Sequence, residues 1–186
     1  DTKRVAQIQV KISQYTEKVS EGLSRPEQKF THDILYGLMK TGIPQLGSLG
    51  RSLGESISVK KRTERLSRHL HKADLGRKLM KGHVESQKTR LKECEYLLVD
   101  LTDITKKYAT KLEGQAGVHD GSASKIGYGY PIINIAGVGA GRADVVPAYS
   151  ELYSLKQEPT SENLKILEAI GAAAPYASKE AAFVMD

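Results

Sequence analysis

Two aspartates stand where apolar runs end. Tyr96-Leu97-Leu98-Val99 is closed by Asp100, and Ala181-Ala182-Phe183-Val184-Met185 is closed by Asp186. The first run reads as a strand buried on both faces. A carboxylate set into such a run is costly unless it is paired or holds a metal; the plain structural alternative is a carboxylate capping a turn at the strand end. Side chains alternate along a strand, so Asp100 and Thr102 share a face and Asp103 takes the other. If the two runs lie side by side, Asp100 and Asp186 meet, and two adjacent carboxylates need counter-cations. Oxygen donors with an open coordination sphere favour Mg2+ or Mn2+. Two such ions roughly 3.5–4 Å apart form the clamp of two-metal phosphoryl transfer.

The segments between the aspartates predict that adjacency. Ile132-Ile133-Asn134-Ile135-Ala136 and Ala143-Asp144-Val145-Val146-Pro147 read as two further strands, with a tight turn between them in the glycine-rich stretch Gly137-Val138-Gly139-Ala140-Gly141. That stretch has some likeness to a dinucleotide-binding loop, but no helical pattern follows it. Glu158-Pro159-Thr160-Ser161-Glu162 starts a helix whose expected apolar face is Leu164, Leu167 and Ala169-Ile170, closed at Ala174-Pro175. The order is strand, strand, strand, helix, strand. A helical crossover joins parallel neighbours, which sets the last strand beside the first.

The other half of the chain is helical and basic. The 186 residues carry a formal charge of +6, divided into +9 on residues 1–95 and −3 on residues 96–186. Such asymmetry points to a nucleic-acid or anionic-surface partner for the basic half and to two domains, 1–94 and 95–186. Ser24-Arg25-Pro26-Glu27 is a helix start with a capping box, followed by Phe30, Ile34 and Leu38 at helical spacing and a stop at Thr41-Gly42-Ile43-Pro44. A short helix with Leu46, Leu49 and Leu53 comes next, and Ser58 caps a third. On that third helix Val59, Thr63, Leu66 and Leu70 form one stripe. Lys61, Arg65, Arg68 and Lys72 form another, roughly 160° away on the wheel. Arg62 adds a further cation. A helix-turn-helix with a cationic second member can lie against DNA, its Arg and Lys neutralising phosphates, although a cationic outer face is also the ordinary state of a solvated helix. Neutralising about six phosphates predicts a slope of roughly −5 for log K against log salt. A weaker helical pattern runs from Asp74 to Cys94.

Composition excludes several classes. No run approaches the 18 apolar residues of a membrane span, and residues 1–10 lack a signal-peptide core. The one cysteine, Cys94, rules out an intrachain disulfide and a cysteine-based zinc site, and suits a reducing compartment.

From about Phe30 onward the chain resembles the transposases of the bacterial insertion sequence four family. The segments that carry the resemblance are Lys61-Arg62-Thr63-Glu64-Arg65-Leu66-Ser67-Arg68-His69-Leu70, Leu97-Leu98-Val99-Asp100-Leu101-Thr102-Asp103-Ile104, Tyr130-Pro131-Ile132-Ile133-Asn134, Val146-Pro147-Ala148-Tyr149-Ser150 and Phe183-Val184-Met185-Asp186. The resemblance implies an α+β chain: a helical helix-turn-helix-like DNA-binding domain, then the first half of an RNase-H-like mixed sheet. It implies cut-and-paste DNA chemistry with Mg2+ or Mn2+, Asp100 and Asp186 being the first two catalytic, metal-holding acids. It makes Lys61, Arg62, Arg65, Arg68 and Lys72 DNA-binding residues. Its partners are double-stranded DNA (terminal inverted repeats and target) and a second copy in a synaptic homodimer; its setting is the bacterial cytoplasm at the nucleoid. In that family the second motif continues Asp-Arg-Gly, and a third acid lies in a Tyr-x2-Arg-x3-Glu-x6-Lys signature. Neither occurs in these 186 residues, so the chain is expected to be an N-terminal fragment, inactive alone. Two other functions fit the same residues: a DNA-binding inhibitor of transposition, and an RNase-H-like nuclease unrelated to transposition.

Overall fold

The computed structural model describes residues 2–72, 74–105, 109, 111–120, 125–139, 144–157 and 160–185. Helices occupy the N-terminal half and a mixed sheet follows, which makes the chain α+β. It divides into two compact units, 1–86 and 87–186, a boundary upstream of the composition change at Glu95.

The first unit is built from α1 (Thr2–Val19), α2 (Arg25–Thr41), α3 (Leu46–Ser52), α4 (Val59–Leu70) and the greater part of α5 (Leu75–Leu91). The start of α2 is the capping box expected there: Glu27 Oε2 accepts from the Ser24 backbone N–H at 3.0 Å and from its hydroxyl at 2.6 Å. Gly42 ends the helix in the left-handed region, its N–H bonding the Leu38 carbonyl, a conformation that carries little cost without a Cβ. Ser58 caps α4 through the Lys61 N–H. Phe30, Leu49, Leu53, Leu66 and Leu75 form the core, with Ile34, Leu38 and Leu46 packed against it. The α4 stripe is shorter than expected. Leu66 is fully buried, but Leu70, the last residue of the helix, is 57% exposed.

Glycines explain two features that propensity alone obscures. Three glycines weaken the reading of 46–54 as a helix, yet α3 forms. A Cβ at Gly50 would lie 2.6 Å from Thr63 Oγ1, so the missing side chain lets α3 close on α4. No helix is expected from the sequence before Ser24, yet α1 is there. Its buried stripe is Ile12, Thr16 and Val19, continued by Ser20 just past its end, at helical spacing but diluted by two hydroxyls. Gly82 of α5 meets α1 backbone to backbone, since a Cβ there would fall 2.0 Å from the Val19 carbonyl oxygen.

The second unit holds β1 (Tyr96–Thr105), β2 (Ala116–Asp120), β3 (Lys125–Val138), β4 (Val145–Leu152), α6 (Glu162–Ala173), a 3-10 turn (Ala174–Tyr176) and β5 (Ala182–Val184). β1 lies between β3, antiparallel, and β5, parallel. β3 also pairs β2 along Lys125–Gly129 and β4 along Ile132–Val138. The expected strand, strand, strand, helix, strand order is present, with β2 and the first half of β3 as an additional hairpin. Val138 pairs with Val145, as two strands joined by a turn should; residues 140–143 lie outside the described set. Pro147 sits inside β4 because the strand bulges there: Ile135 faces Tyr149 and Ala136 faces Pro147, leaving Ala148 as the extra residue, which is where a strand tolerates proline.

Two sequence expectations are corrected here, although Ala169 of the expected α6 face is buried. α6 packs on β3 and β4 through Lys165, Ala169 and Ala173, not through Leu164 and Leu167, which are 46% and 65% exposed. The small alanines bring the helix axis closer to the sheet than leucines allow. β1 in turn is buried on one face, through Leu97 and Val99, while Tyr96 and Leu98 stay about half exposed. Among the described residues no helix is long and apolar enough to cross a membrane.

Replacing Gly82 by alanine is expected to destabilise the first unit by about 2 kcal/mol, because the clash is with backbone rather than a movable side chain. Urea denaturation followed by circular dichroism measures it; an unchanged midpoint would show that the α1–α5 crossing is looser than this.

Candidate functional site

Register assigns each chemistry-bearing residue to a face of the sheet. Val99 pairs with Ile135 and Leu101 with Ile133, while Asp100 pairs with Asn134; Ile133 in turn faces Glu151 and Asn134 faces Ser150. Directly opposed residues share a face. Val99, Leu101, Ile133, Ile135, Tyr149 and Glu151 therefore lie on one face, and Leu98, Asp100, Thr102, Asn134 and Ser150 on the other. Lys165 of α6 reaches Glu151 at 3.3 Å, so the helix covers the first face. Asp100 is exposed on the second.

Three short segments separated in sequence thus meet across the strands. Asp100, Asn134 and Ser150 stand in a row on β1, β3 and β4, with the Ser150 hydroxyl donating to Asn134 Oδ1 at 2.8 Å. The sequence gives neither Asn134 nor Ser150 a role by type or spacing; only the register shows them beside Asp100. Carboxylate, amide and hydroxyl oxygens are hard donors of the kind Mg2+ and Mn2+ take. Among the described residues no three His, Cys, Asp or Glu side chains come together as a metal cage. Asp186 lies outside the described residues. Val184, the last paired residue of β5, faces Leu98.

Glu151 is held on the covered face. Its carboxylate accepts the Tyr149 hydroxyl at 2.6 Å and pairs with Lys165, which also reaches Glu168 at 3.3 Å. Burial, reinforced by that carboxylate, pushes the Tyr149 hydroxyl well above its ordinary range. This cluster seats α6 and does not face Asp100.

The basic helix is rearranged more thoroughly. Arg65, expected on an outward ridge, is only 21% exposed and turns inward to two carboxylates. It reaches Asp33 Oδ2 of α2 at 2.7 Å and Glu55 Oε2 of the α3–α4 connection at 2.8 Å. Lys29 closes the cluster, 2.6 Å from Glu55 and 3.4 Å from Asp33. The Arg65 guanidinium holds the Glu55 carboxyl below its ordinary range, against burial, which pushes it up. Arg62 donates to the Leu53 carbonyl oxygen. Lys72 pairs with Glu27 at 3.1 Å. The ridge is therefore not four outward cations: Arg65 is a cross-link between helices, and Lys72 and Arg62 have protein partners. Lys61 and Arg68 remain exposed on α4, with exposed Glu64 between them. His69 stacks on Phe30 with ring centroids 5.2 Å apart.

The comparisons with known proteins are sparse. No protein-family model matches the chain. An uncharacterized protein of Aquifex aeolicus (strain VF5) is 28% identical over 94 residues, half of this chain and 43% of that protein. The matched segment thus spans less than half the length of that relative.

Truncating Asp33 removes one of the two carboxylates that partner a mostly buried guanidinium. Asp33→Ala is expected to cost about 3 kcal/mol of unfolding free energy, measured by chemical denaturation, and a loss below about 0.5 kcal/mol would mean solvent replaces the carboxylate freely. A pH dependence follows as well. The Ser24 hydroxyl, then Lys72, hold the Glu27 carboxyl down at about 2 from an ordinary 4.5. Its contribution is present above pH 4.5 and fades as pH falls toward 2, because the unfolded chain takes the proton first. Glu27→Gln should flatten the fall in melting temperature across that window, as read by circular dichroism.

Proposed function

We propose that this chain is part of a DNA transposase of the insertion sequence four type, its sheet being the start of an RNase-H-like catalytic core. The single observation that supports this most is the parallel pairing of β1 with β5 across the α6 crossover. In sequence Asp100 stands two residues after Leu98 and Asp186 two residues after Val184, the pair on which the described part of this ladder ends. The residue order and the matched motifs agree with that pairing, while the relative from Aquifex aeolicus bears on it in neither direction.

On this reading Asp100 and Asp186 hold Mg2+ or Mn2+, and Asn134 and Ser150 keep the floor beside them polar. The bound metal supplies charge neutralisation at the phosphodiester and lowers the pKa of the attacking water. The open face leaves room for a DNA backbone beside Asp100, and the buried residues under α6 fix the strand that carries it. A third carboxylate is required and is not among these 186 residues in the family's signature. The basic N-terminal half binds the duplex by phosphate neutralisation.

In a chain that carries the third carboxylate, Asp100→Asn is expected to lower Mg2+-dependent cleavage at the element's ends by about 1,000-fold or more, with DNA affinity within about twofold of wild type. Gel assays of cleavage and binding read the two separately. Cleavage retained by the variant would sink the assignment; cleavage lost together with affinity would place Asp100 in DNA binding instead.

A further inference from the structure

The polar row on the open face of the sheet holds two groups that each lack what the other offers. Among the described residues the Asp100 carboxylate has no hydrogen-bond donor or ion-pair partner, and the Asn134 amide nitrogen has no acceptor. β1 and β3 set the two residues directly opposite each other. Directly opposed side chains have Cβ atoms about 4.5–5.5 Å apart, a gap that an asparagine and an aspartate can bridge. The other neighbours of Asp100 on this face offer less. Leu98, Ile132 and Ala136 carry no side-chain donor, and Thr102, two residues along β1, lies roughly 6.5 Å away at strand spacing.

Ser150 decides which end of the amide faces Asp100. Its hydroxyl donates to Asn134 Oδ1 at 2.8 Å from β4, which pairs with the edge of β3 opposite to β1. With the amide oxygen held toward β4, the N–H2 end is the one left for β1. The reversed amide would set its oxygen against the carboxylate, two acceptors with no proton between them. Both neighbours therefore select the same orientation. Because the acceptor is ionised, the resulting N–H···O bond is charge-assisted.

We propose that Asn134 is a positioning residue for Asp100: its amide, oriented by Ser150, donates to the carboxylate and fixes which oxygen is presented to a divalent cation. This rests on the reading of Asp100 as a metal-holding acid. The donor belongs to a neutral residue, so it orients the carboxylate without cancelling the charge that a cation needs; a lysine or arginine there would do both. Partners of this kind, outside the ligand set, typically contribute about 10- to 100-fold in metal affinity or activity.

The 186-residue chain contains two asparagines, Asn134 and the exposed Asn163 of α6. Isotope labelling of asparagine nitrogen therefore gives two side-chain N–H2 pairs in a magnetic resonance spectrum, one of them an internal control. Without metal, Asp100→Ala and Ser150→Ala are each expected to move the Asn134 pair and speed its exchange with water, while the Asn163 pair stays in place. Thr102→Val, on the same face, and Ser150→Thr, which keeps the hydroxyl, should leave the exchange of both pairs unchanged; circular dichroism confirms that each variant is folded. In a chain that carries the third carboxylate, Asn134→Ala should raise the Mg2+ concentration for half-maximal cleavage about 10- to 100-fold, with DNA affinity within about twofold of wild type. Asn134→Asp keeps the shape and loses the donor, so it should do no better. Mg2+ dependence restored by Asn134→Asp would make that side chain a metal ligand and overturn the inference. An Asn134 pair indifferent to Asp100→Ala, with cleavage still lost in Asp100→Asn, overturns the inference and leaves the transposase reading standing. Cleavage retained in Asp100→Asn overturns both.

Discussion

The ladder that β1 makes with its two neighbours is the constraint on which the second unit depends. Ten consecutive residues of β1 pair with β3, and three pair in the parallel sense with β5. A slip of one residue would turn Leu97 and Val99 outward and carry Leu98 and Asp100 onto the covered face, burying a carboxylate in an apolar layer. Close contacts resist that slip. A Cβ at Gly137, which faces Leu97, would lie 2.7 Å from Cys94 Sγ, and one at Gly129 would lie 2.1 Å from the Ile104 carbonyl oxygen. The glycines that look like loop residues in the sequence are thus the points where strand and neighbour touch, and they help keep Asp100 on the open face.

In the first unit the equivalent constraint is ionic. Arg65 joins α4 to α2 through Asp33 and to the α3–α4 connection through Glu55, so its charge belongs to the interior of the bundle. A helical wheel orders residues around one axis and carries no information about a carboxylate 32 residues upstream. For that reason counting cations on a helix overstates what an outside anion can reach. Charge position and charge availability diverge wherever two helices cross, and here they diverge at the most regular-looking cationic stripe in the chain.

What was legible in the sequence is what local chemistry decides. The Ser24–Glu27 box, the Gly42 stop, the Ser58 cap and the order of the main strands all follow from residues within one turn or one run. The illegible parts depend on what packs across. α1 hides because hydroxyls at Thr16 and, just past its end, Ser20 interrupt its buried stripe, and β2 because Ala116-Gly117-Val118-His119-Asp120 has too short an apolar alternation to mark a strand. α6 is misread because its leucines suggest a buried face, whereas its alanines and a salt-bridged Lys165 form it. For the candidate site, Asp100 was visible as an acid closing an apolar run. Asn134 and Ser150 were not, since a register connects them to Asp100 and no spacing does.

On the proposed reading, the opposite charges of the two halves imply different ways of meeting the same polyanion. An excess of carboxylates on residues 96–186 repels phosphate, and Asp100, exposed on an open face, adds to that repulsion for as long as its charge is uncompensated. Affinity on the proposed reading must then come from the basic half, with a strong dependence on monovalent salt, while engagement of the Asp100 face depends on divalent cation. These dependences are separable in principle because they arise from different atoms: ammonium and guanidinium groups that displace counterions in one case, carboxylates that acquire them in the other. On that reading the intact enzyme holds DNA without metal and acts on it only with metal, which is the order of events that an enzyme assembling on its substrate before cutting requires.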